Sequence, residues 1–107
     1  MLIRLKRQFF IQMGEGLKLL EIRVAYANLK GIKAGDSVTF ECGHDRLIVK
    51  IKEVRRYNTF ATMLEKEDPN LIVPGQTKQQ VLNTCRAIYP PEKEALGVLV
   101  FEVELKK

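Results

Sequence analysis

The sequence is poor in the residues that form metal centres, disulfide frameworks and histidine-dependent catalytic sites. Its 107 residues include one histidine and two cysteines. Cys42 and Cys85 form no CxxC pair, which argues against a disulfide framework and against a zinc site built on thiolates. Cys42 and His44 would supply two metal ligands, whereas a zinc site needs three or four. We therefore expect no metal and no cofactor, and His44, in a Gly-His-Asp turn, is a weak candidate for the base of a catalytic triad.

Long apolar runs, repeats and low-complexity tracts are also lacking. No apolar stretch approaches the roughly 20 residues that cross a bilayer, and the segment 1–7 is too short and too charged for a secretory leader. Hydrophobic residues make up 46% of the chain and charged residues 29%, as in an ordinary globular protein. We expect a single domain, residues 1–107, located in the cytoplasm and not associated with a membrane.

The formal net charge is +5. A basic excess favours polyanionic partners such as RNA, through steering and counterion release. The charge permits such a partner without requiring one, because acidic residues are scattered through the chain and no long basic run exists. The densest basic clusters, at 4–7 and 50–56, each lie along a candidate strand.

Alternation of apolar and polar residues predicts five strands, because successive residues of a strand point to opposite faces of a sheet. Gly35-Asp36 and the segment 43–45 are turn signals on either side of the third strand. The predicted strands are 2–6, 19–24, 37–41, 46–57 and 99–106. The residues expected to be buried in them are Leu20, Ile22, Val38, Phe40, Val49, Ile51, Phe101 and Val103.

The long fourth strand changes phase. Leu47, Val49 and Ile51 point to one face, but the next apolar residue is Val54 rather than position 53. A switch of face within one strand indicates a β-bulge, and bulges are how small barrels bend. The phase change therefore favours a curved sheet.

Helical spacing predicts three helices. The first runs from Arg7 to about Met13, where glycines end it. The second begins at a cap on Asn58 or Thr59 and ends at Asp68-Pro69, and the third opens with the capping box Thr77 to Gln80. The apolar stripes of the second and third helices are Phe60, Met63 and Leu64, and Val81, Leu82, Cys85 and Ile88.

The segment between the last two helices, residues 71–75, is expected to be a loop. It begins with Leu71, Ile72 and Val73, which is unusually apolar for a loop, so these side chains either pack under the sheet or form a pocket wall. The element order β-α-β-β-β-α-α-β with hairpin connections places the chain in the α+β class. We predict a mostly antiparallel β-barrel of five to six strands with about three helices packed around it.

One stretch, from Gly16 to Arg23, concentrates charge beside an apolar strand. Glu21 and Arg23 are two residues apart on one face, roughly 7 Å along the strand, and Lys18 precedes the strand. The side chains are close enough to orient each other while both reach a ligand. On spacing alone they are equally a surface ion pair worth about 0–1 kcal/mol.

The pattern Gly-x-Lys-x-x-Glu-x-Arg at 16–23, preceded by a short Phe-rich segment, resembles the signature of the ASCH family, small domains with a PUA-like β-barrel. Further segments resemble that family in the same order along essentially the whole chain. They are Gly31 to Val38, Arg55 to Phe60, Ile88 to Pro90, and Gly97 to Val103.

The resemblance implies an RNA-related module. Lys18, Glu21 and Arg23 would then line a mixed-charge cleft, in which cations suit phosphate and the carboxylate accepts from the amino edge of a base. Arg4 and Arg55, from the two basic clusters, are candidate phosphate contacts. RNA, or a nucleoside or nucleotide, is the expected partner.

The alternative is an amidohydrolase. The sequence resembles a branch of the family, small bacterial acetylcytidine amidohydrolases, whose activity depends on the signature lysine, a threonine three residues later and a loop glutamate. Lys18 matches the lysine, but Glu21 stands at the threonine position and residues 73–75 contain no acid. Lys18 and Glu21 would be catalytic only in this alternative, with Glu21 activating water and Lys18 stabilising the oxyanion. Interaction with another protein is a third class, and the oligomeric state stays open.

Overall fold

Five strands and five helices make up the computed structural model, which describes residues 1–106. The long elements follow one another in the predicted order, which confirms the α+β class. The strands are β1 (Leu2–Arg4), β2 (Leu20–Val24), β3 (Ser37–Cys42), β4 (Asp45–Tyr57) and β5 (Val98–Leu105). The helices are α1 (Arg7–Gly14), α2 (Phe60–Lys66), α3 (Pro69–Ile72), α4 (Lys78–Ile88) and α5 (Pro91–Glu94).

The short helices α3 and α5 correct the prediction of about three helices. The sequence predicts that the second helix ends at Asp68-Pro69, but Pro69 and also Pro91 each stand at the first position of a new helix. Proline suits that position because its fixed φ is helical and its missing N–H would be unpaired there anyway. Asp68 also caps α3, since its side chain accepts from the Asn70 N–H at 2.9 Å.

The strands form one curled sheet in the order β1-β3-β4-β5-β2. Three of the four pairings are antiparallel, while β1 pairs with β3 in parallel. β1 and β2 are the two edges, and no ladder joins them. The predicted β-barrel is therefore confirmed in part: the sheet curls into a half-barrel and does not close. β1 has only three paired residues, and its edge meets β2 through a side chain, because the Arg23 guanidinium donates to the Arg4 carbonyl at 2.8 Å.

The predicted bulge in β4 is confirmed. Ile51 pairs with Val103 and Glu53 pairs with Glu102, so Lys52 is an extra residue without its own partner. The insertion switches the face to which the following side chains point. As a result, Val54 joins the same core as Ile51 although the two are three residues apart.

The sheet separates two hydrophobic cores, and all eight residues expected to be buried are at most 9% exposed. The inner core lies on the concave face, and the helix-side core lies between the opposite face and α2, α3 and α4. The inner core consists of Ile3, Leu5, Met13, Ala25, Leu29, Ile32, Val38, Phe40, Val49, Ile51, Leu99, Phe101 and Val103. The helix-side core consists of Leu20, Ile22, Val24, Phe60, Met63, Leu64, Ile72, Val73, Val81, Cys85, Val98 and Val100.

Both predicted caps of the longer helices form. The Thr59 side chain accepts from the Thr62 N–H, and Thr77 and Gln80 make the two reciprocal bonds of a capping box. In α4, however, Ile88 is 51% exposed. Its predicted burial is wrong, because the last turn of α4 borders an open cleft instead of the core.

Arg55 ties the end of α2 to the sheet. Its guanidinium makes two bonds to Glu67, at 2.7 and 2.9 Å, and further bonds to Glu53 and Glu102 at 2.8 and 2.9 Å. Tyr57 donates a third bond to Glu67. Burial alone would raise the pKa of Glu67, but the bonds from Arg55 and Tyr57 outweigh it and hold that pKa below its ordinary value. We call these five residues the Arg55 cluster.

Truncation of the inner core should destabilise the protein strongly. Phe40 is fully buried, so Phe40→Ala should lower the free energy of unfolding by about 3–5 kcal/mol. Ile48 lies in the paired strand but is 51% exposed, so the control Ile48→Ala should change it by less than about 0.5 kcal/mol. Urea unfolding followed by circular dichroism measures both, and equal effects would contradict the assignment of the core.

The Arg55 cluster should make stability depend on pH in the acidic range. A carboxyl whose pKa is lower in the folded state stabilises above its unfolded pKa, and this contribution is lost as the pH falls through the folded pKa. Wild type should therefore exceed Glu67→Gln in unfolding free energy near neutral pH, and the difference should shrink from about pH 5 downward. Urea titrations at several pH values test this, with exposed Glu65→Gln as the control; a constant difference would contradict it.

Candidate ligand-binding cleft

A cleft of about 470 Å³ opens where the two edges of the half-barrel face each other. β1 and the start of α1 form one side, β2 forms the floor, and α3 with the end of α4 forms the other side. The predicted residues Arg4, Lys18, Glu21 and Arg23 all line it. The structure thus brings four of the five candidate site residues together.

Lys18 is anchored at the bottom of the cleft and is only 2% exposed. Gly16, with φ of +78°, turns the chain back after α1 and directs Lys18 inward. The ammonium group donates to the carbonyls of Leu20 and Ile72 at 2.7 and 2.8 Å and lies 3.1 Å from Glu21 Oε1. Two hydrogen bonds and one ion pair thus hold the ammonium group within the protein.

Glu21 lies between two cations. Its Oε1 faces Lys18, and its Oε2 accepts from Arg23 Nε at 2.7 Å. Arg23 Nη2 continues the chain of contacts to the Arg4 carbonyl. Among residues 1–106 no acceptor bonds to Arg23 Nη1, and this side chain is 24% exposed. Arg23 Nη1 is therefore the donor that the signature offers to a ligand.

The rim is basic and the walls are aromatic and aliphatic. The Arg4 side chain is 91% exposed and lies 3.9 Å from the Glu41 carboxylate, and Lys6 beside it is exposed as well. Phe9 and Tyr89 line opposite sides, and the Tyr89 ring stacks on Phe60 with centroids 5.9 Å apart. The cleft thus combines a flat apolar interior with cations at its mouth.

Burial keeps the ionisable wall groups neutral. It raises the pKa of the Tyr89 hydroxyl, and Arg23 opposes that shift only in part. It also raises the pKa of the Cys85 thiol to about 11, although nearby Lys18 favours the thiolate. At neutral pH Cys85 is a thiol rather than a nucleophilic thiolate.

Several cleft residues were not predicted as site residues from the sequence. Among them are Phe9 and Tyr89, together with Cys85, which was predicted only as part of the apolar stripe of the third helix. Ile72 and Val73 are buried and line the cleft, which agrees with the pocket-wall alternative for this segment. The apolar composition of that segment was the signal that pointed to it.

Arg55 lies apart from the cleft. Its donors are engaged by Glu53, Glu67 and Glu102 in the Arg55 cluster, which borders a different depression on the other side of β2. Contact between Arg55 and phosphate stays a prediction, and the geometry favours a structural role.

Neither a metal cluster nor a membrane helix is found in the described part of the chain. Within residues 1–106 no three His, Cys, Asp or Glu side chains are grouped so as to hold a metal ion. In the same residues, no helix has the length and apolar character needed to span a bilayer.

Comparison with known proteins identifies the family. The chain is similar to the crystal structure of hypothetical protein PH0355, with a TM-score of 0.89 and 32% identity, covering 98% of this chain and 97% of that one. It is similar to the solution NMR structure of protein PF0455 from Pyrococcus furiosus, with a TM-score of 0.79 and 32% identity, covering 99% and 96%. The chain matches no curated protein. The family model described as ASCH domain matches residues 3–107, and the chain therefore belongs to the ASCH domain family.

Proposed function

We propose that this protein is a cytoplasmic RNA-binding protein that holds one nucleotide in the cleft without converting it. The observation that carries the proposal is the combination, in one cleft, of aromatic walls with a basic rim. Phe9 and Tyr89 supply flat faces, and Arg4, Lys6 and Arg23 supply the cations.

The proposal rests on how these groups match a nucleotide. Bases stack on aromatic side chains, which contributes about 1–3 kcal/mol per base. Arg4 and Lys6 project into solvent at the mouth, where a phosphate can meet them without the cost of burying charge. The cleft volume of about 470 Å³ lies in the range of sites that enclose small ligands. The net charge of +5 adds long-range attraction to a polyanion.

Binding is favoured over amide hydrolysis by the state of the two candidate catalytic residues. The Lys18 ammonium group donates to two carbonyls and forms an ion pair with Glu21, so its contacts lie within the protein and not with a substrate. One oxygen of Glu21 accepts from Arg23, and the other lies 3.1 Å from the Lys18 ammonium group. A general base must reach the proton that it removes, and in this arrangement the carboxylate instead holds Lys18 and Arg23 in place.

RNA affinity should depend steeply on salt. Neutralising phosphates releases counterions, so log K should fall linearly with log salt, with a slope of about −0.7 per phosphate contact for single strands. Arg4→Ala should reduce the slope by about one such contact. Lys66→Ala, on the exposed side of α2, is the matched control and should leave the slope unchanged.

The same salt titration tests whether Arg55 contacts RNA phosphate and whether the protein binds RNA at all. If the Arg55 cluster is structural, Arg55→Gln should lower the midpoint of urea unfolding and leave the salt slope of the folded protein unaltered. Fluorescence anisotropy with single-stranded and structured RNA provides the measurement. An absence of association even at low salt would refute RNA binding.

The wild-type protein should show little or no release of acetate from acetylcytidine. The threonine position of the hydrolase branch is Glu21 here, and the Lys18 ammonium group is engaged by two carbonyls and by Glu21. If Glu21 did activate water, Glu21→Gln would abolish cleavage while largely preserving binding, because glutamine keeps the size but cannot take a proton. Robust acetate release by wild type, lost in folded Glu21→Gln, would favour the amidohydrolase and contradict our proposal.

A further inference from the structure

The free edge of β2 presents backbone groups to the cleft. The Val103 N–H bonds to the Leu19 carbonyl, and the Ala25 N–H bonds to the Gly97 carbonyl, both at 2.9 Å. In an antiparallel pair, every second residue bonds to the neighbouring strand and the residues between them direct N–H and C=O to the other edge. The odd-numbered residues of β2 therefore bond to β5, and the even-numbered residues Leu20, Ile22 and Val24 face away from it.

Ile22 is the residue at which this edge is unpaired inside the cleft. On either side of it the outward carbonyls are engaged, Leu20 by the Lys18 ammonium at 2.7 Å and Val24 by the Tyr26 N–H at 2.8 Å. No group within residues 1–106 bonds to the Ile22 N–H or C=O, although Ile22 is 9% exposed and lines the cleft. Buried backbone groups are almost always paired, so the partner of these two groups comes from outside residues 1–106, as water or as a ligand in the cleft.

We infer that the Ile22 N–H and C=O bind the hydrogen-bonding edge of the nucleobase held in the cleft. This inference rests on the proposed function and specifies how the base is recognised. An N–H beside a C=O on one extended residue is a donor next to an acceptor. Unstacked bases present the complementary arrangement, and proteins bind them through these Watson–Crick edges.

The surrounding groups fit the other parts of the same nucleotide. Phe9 and Tyr89 lie along the walls, where they can contact the faces of the ring, and Arg23 Nη1 is a further donor close to the edge of β2. Arg4 and Lys6 lie at the mouth, where the phosphate would be. The base is thus contacted on its face by side chains and on its edge by backbone.

A nucleotide fits this edge better than an added peptide strand. Strand addition depends on a succession of free main-chain groups along an edge, whereas Lys18 and Tyr26 occupy the carbonyls on both sides of Ile22. The single N–H and C=O pair of Ile22 suits a ligand that has one short hydrogen-bonding edge. Because that edge is occupied in a duplex, the ligand is an unpaired nucleotide, and single-stranded RNA should bind more tightly than the same sequence as a duplex.

Methylated nucleotides test the inference from the ligand side. For pyrimidines, 3-methyluridine and N4,N4-dimethylcytidine 5′-monophosphates block the edge, while 5-methyluridine and 5-methylcytidine 5′-monophosphates leave it free and serve as controls. For purines, 1-methylguanosine and N6,N6-dimethyladenosine monophosphates are compared with their parents. The parent nucleotide that binds most tightly is the reference. Methylation of its hydrogen-bonding edge should weaken binding about tenfold or more, and methylation elsewhere on the base should change binding by less than about threefold.

NMR and an ester substitution test it from the protein side. The Ile22 amide signal of ¹⁵N-labelled protein should shift with the parent nucleotide and not with the edge-blocked one. Ligation of a synthetic segment 1–41 to a segment that begins at Cys42 can replace the Ile22 amide by an ester. This change removes an N–H that has no partner within residues 1–106, and it should lower stability only to the extent that the ester weakens the Glu21 carbonyl, which bonds to β5. It should weaken binding of the parent nucleotide about tenfold. Ile48→Val, on an exposed position outside the cleft, is the control and should bind as wild type does.

The outcomes separate the two proposals. If edge-blocked and control nucleotides bind equally, and Phe9 and Tyr89 signals shift while the Ile22 amide does not, the base is held in the cleft but recognised elsewhere. That result overturns the inference and leaves the proposed function standing. If no nucleotide shifts any cleft signal and RNA does not bind at low salt, both are overturned.

Discussion

The Glu21 carboxylate connects the parts of the protein that the backbone leaves separate. One oxygen holds the Lys18 ammonium, which also bonds to α3 through the Ile72 carbonyl, and the other holds Arg23, which reaches the Arg4 carbonyl on the opposite sheet edge. Charges this deeply buried are stable only when each is paired and hydrogen-bonded. The cleft exists because side chains, instead of a fifth pairing of strands, join the two edges of the half-barrel.

This arrangement also determines which groups remain for a ligand. Lys18 and Glu21 are used within the protein, so the groups that are exposed to the cleft are the outer nitrogen of Arg23, the aromatic walls and the rim cations. Such a site offers hydrogen-bond donors and aromatic surfaces to a ligand, but few groups that could accept a proton from it. Its chemistry suits recognition of an anionic, planar molecule better than proton transfer.

The sequence predicts those features of the fold and the cleft that depend on neighbouring residues, and it does not predict those that depend on residues far apart in the chain. The shared face of Glu21 and Arg23 and the bulge near Lys52 follow from period-two alternation, which is a local property of a strand. The openness of the sheet depends on whether β1 meets β2, and the burial of Lys18 depends on a carbonyl 54 residues away. The alternation of apolar and polar residues predicts neither the openness of the sheet nor the burial of Lys18. The exposure of Ile88 likewise depends on where α4 passes the end of the sheet.

The extra residue in β4 has a consequence for how the chain can change in length. Before Lys52 the odd-numbered side chains of β4 enter the inner core, and after it Val54 does so while Arg55 and Tyr57 turn toward α2. Deleting Lys52 would remove the bulge and leave Val54 opposite Phe101 and Arg55 on the side of α2, because each of these residues would keep its present partner in β5. Deleting a residue far from the bulge would instead turn the side chains on one side of the deletion to the opposite face of the sheet. The bulge is thus the position at which this strand can lose one residue without changing the face to which its neighbours point.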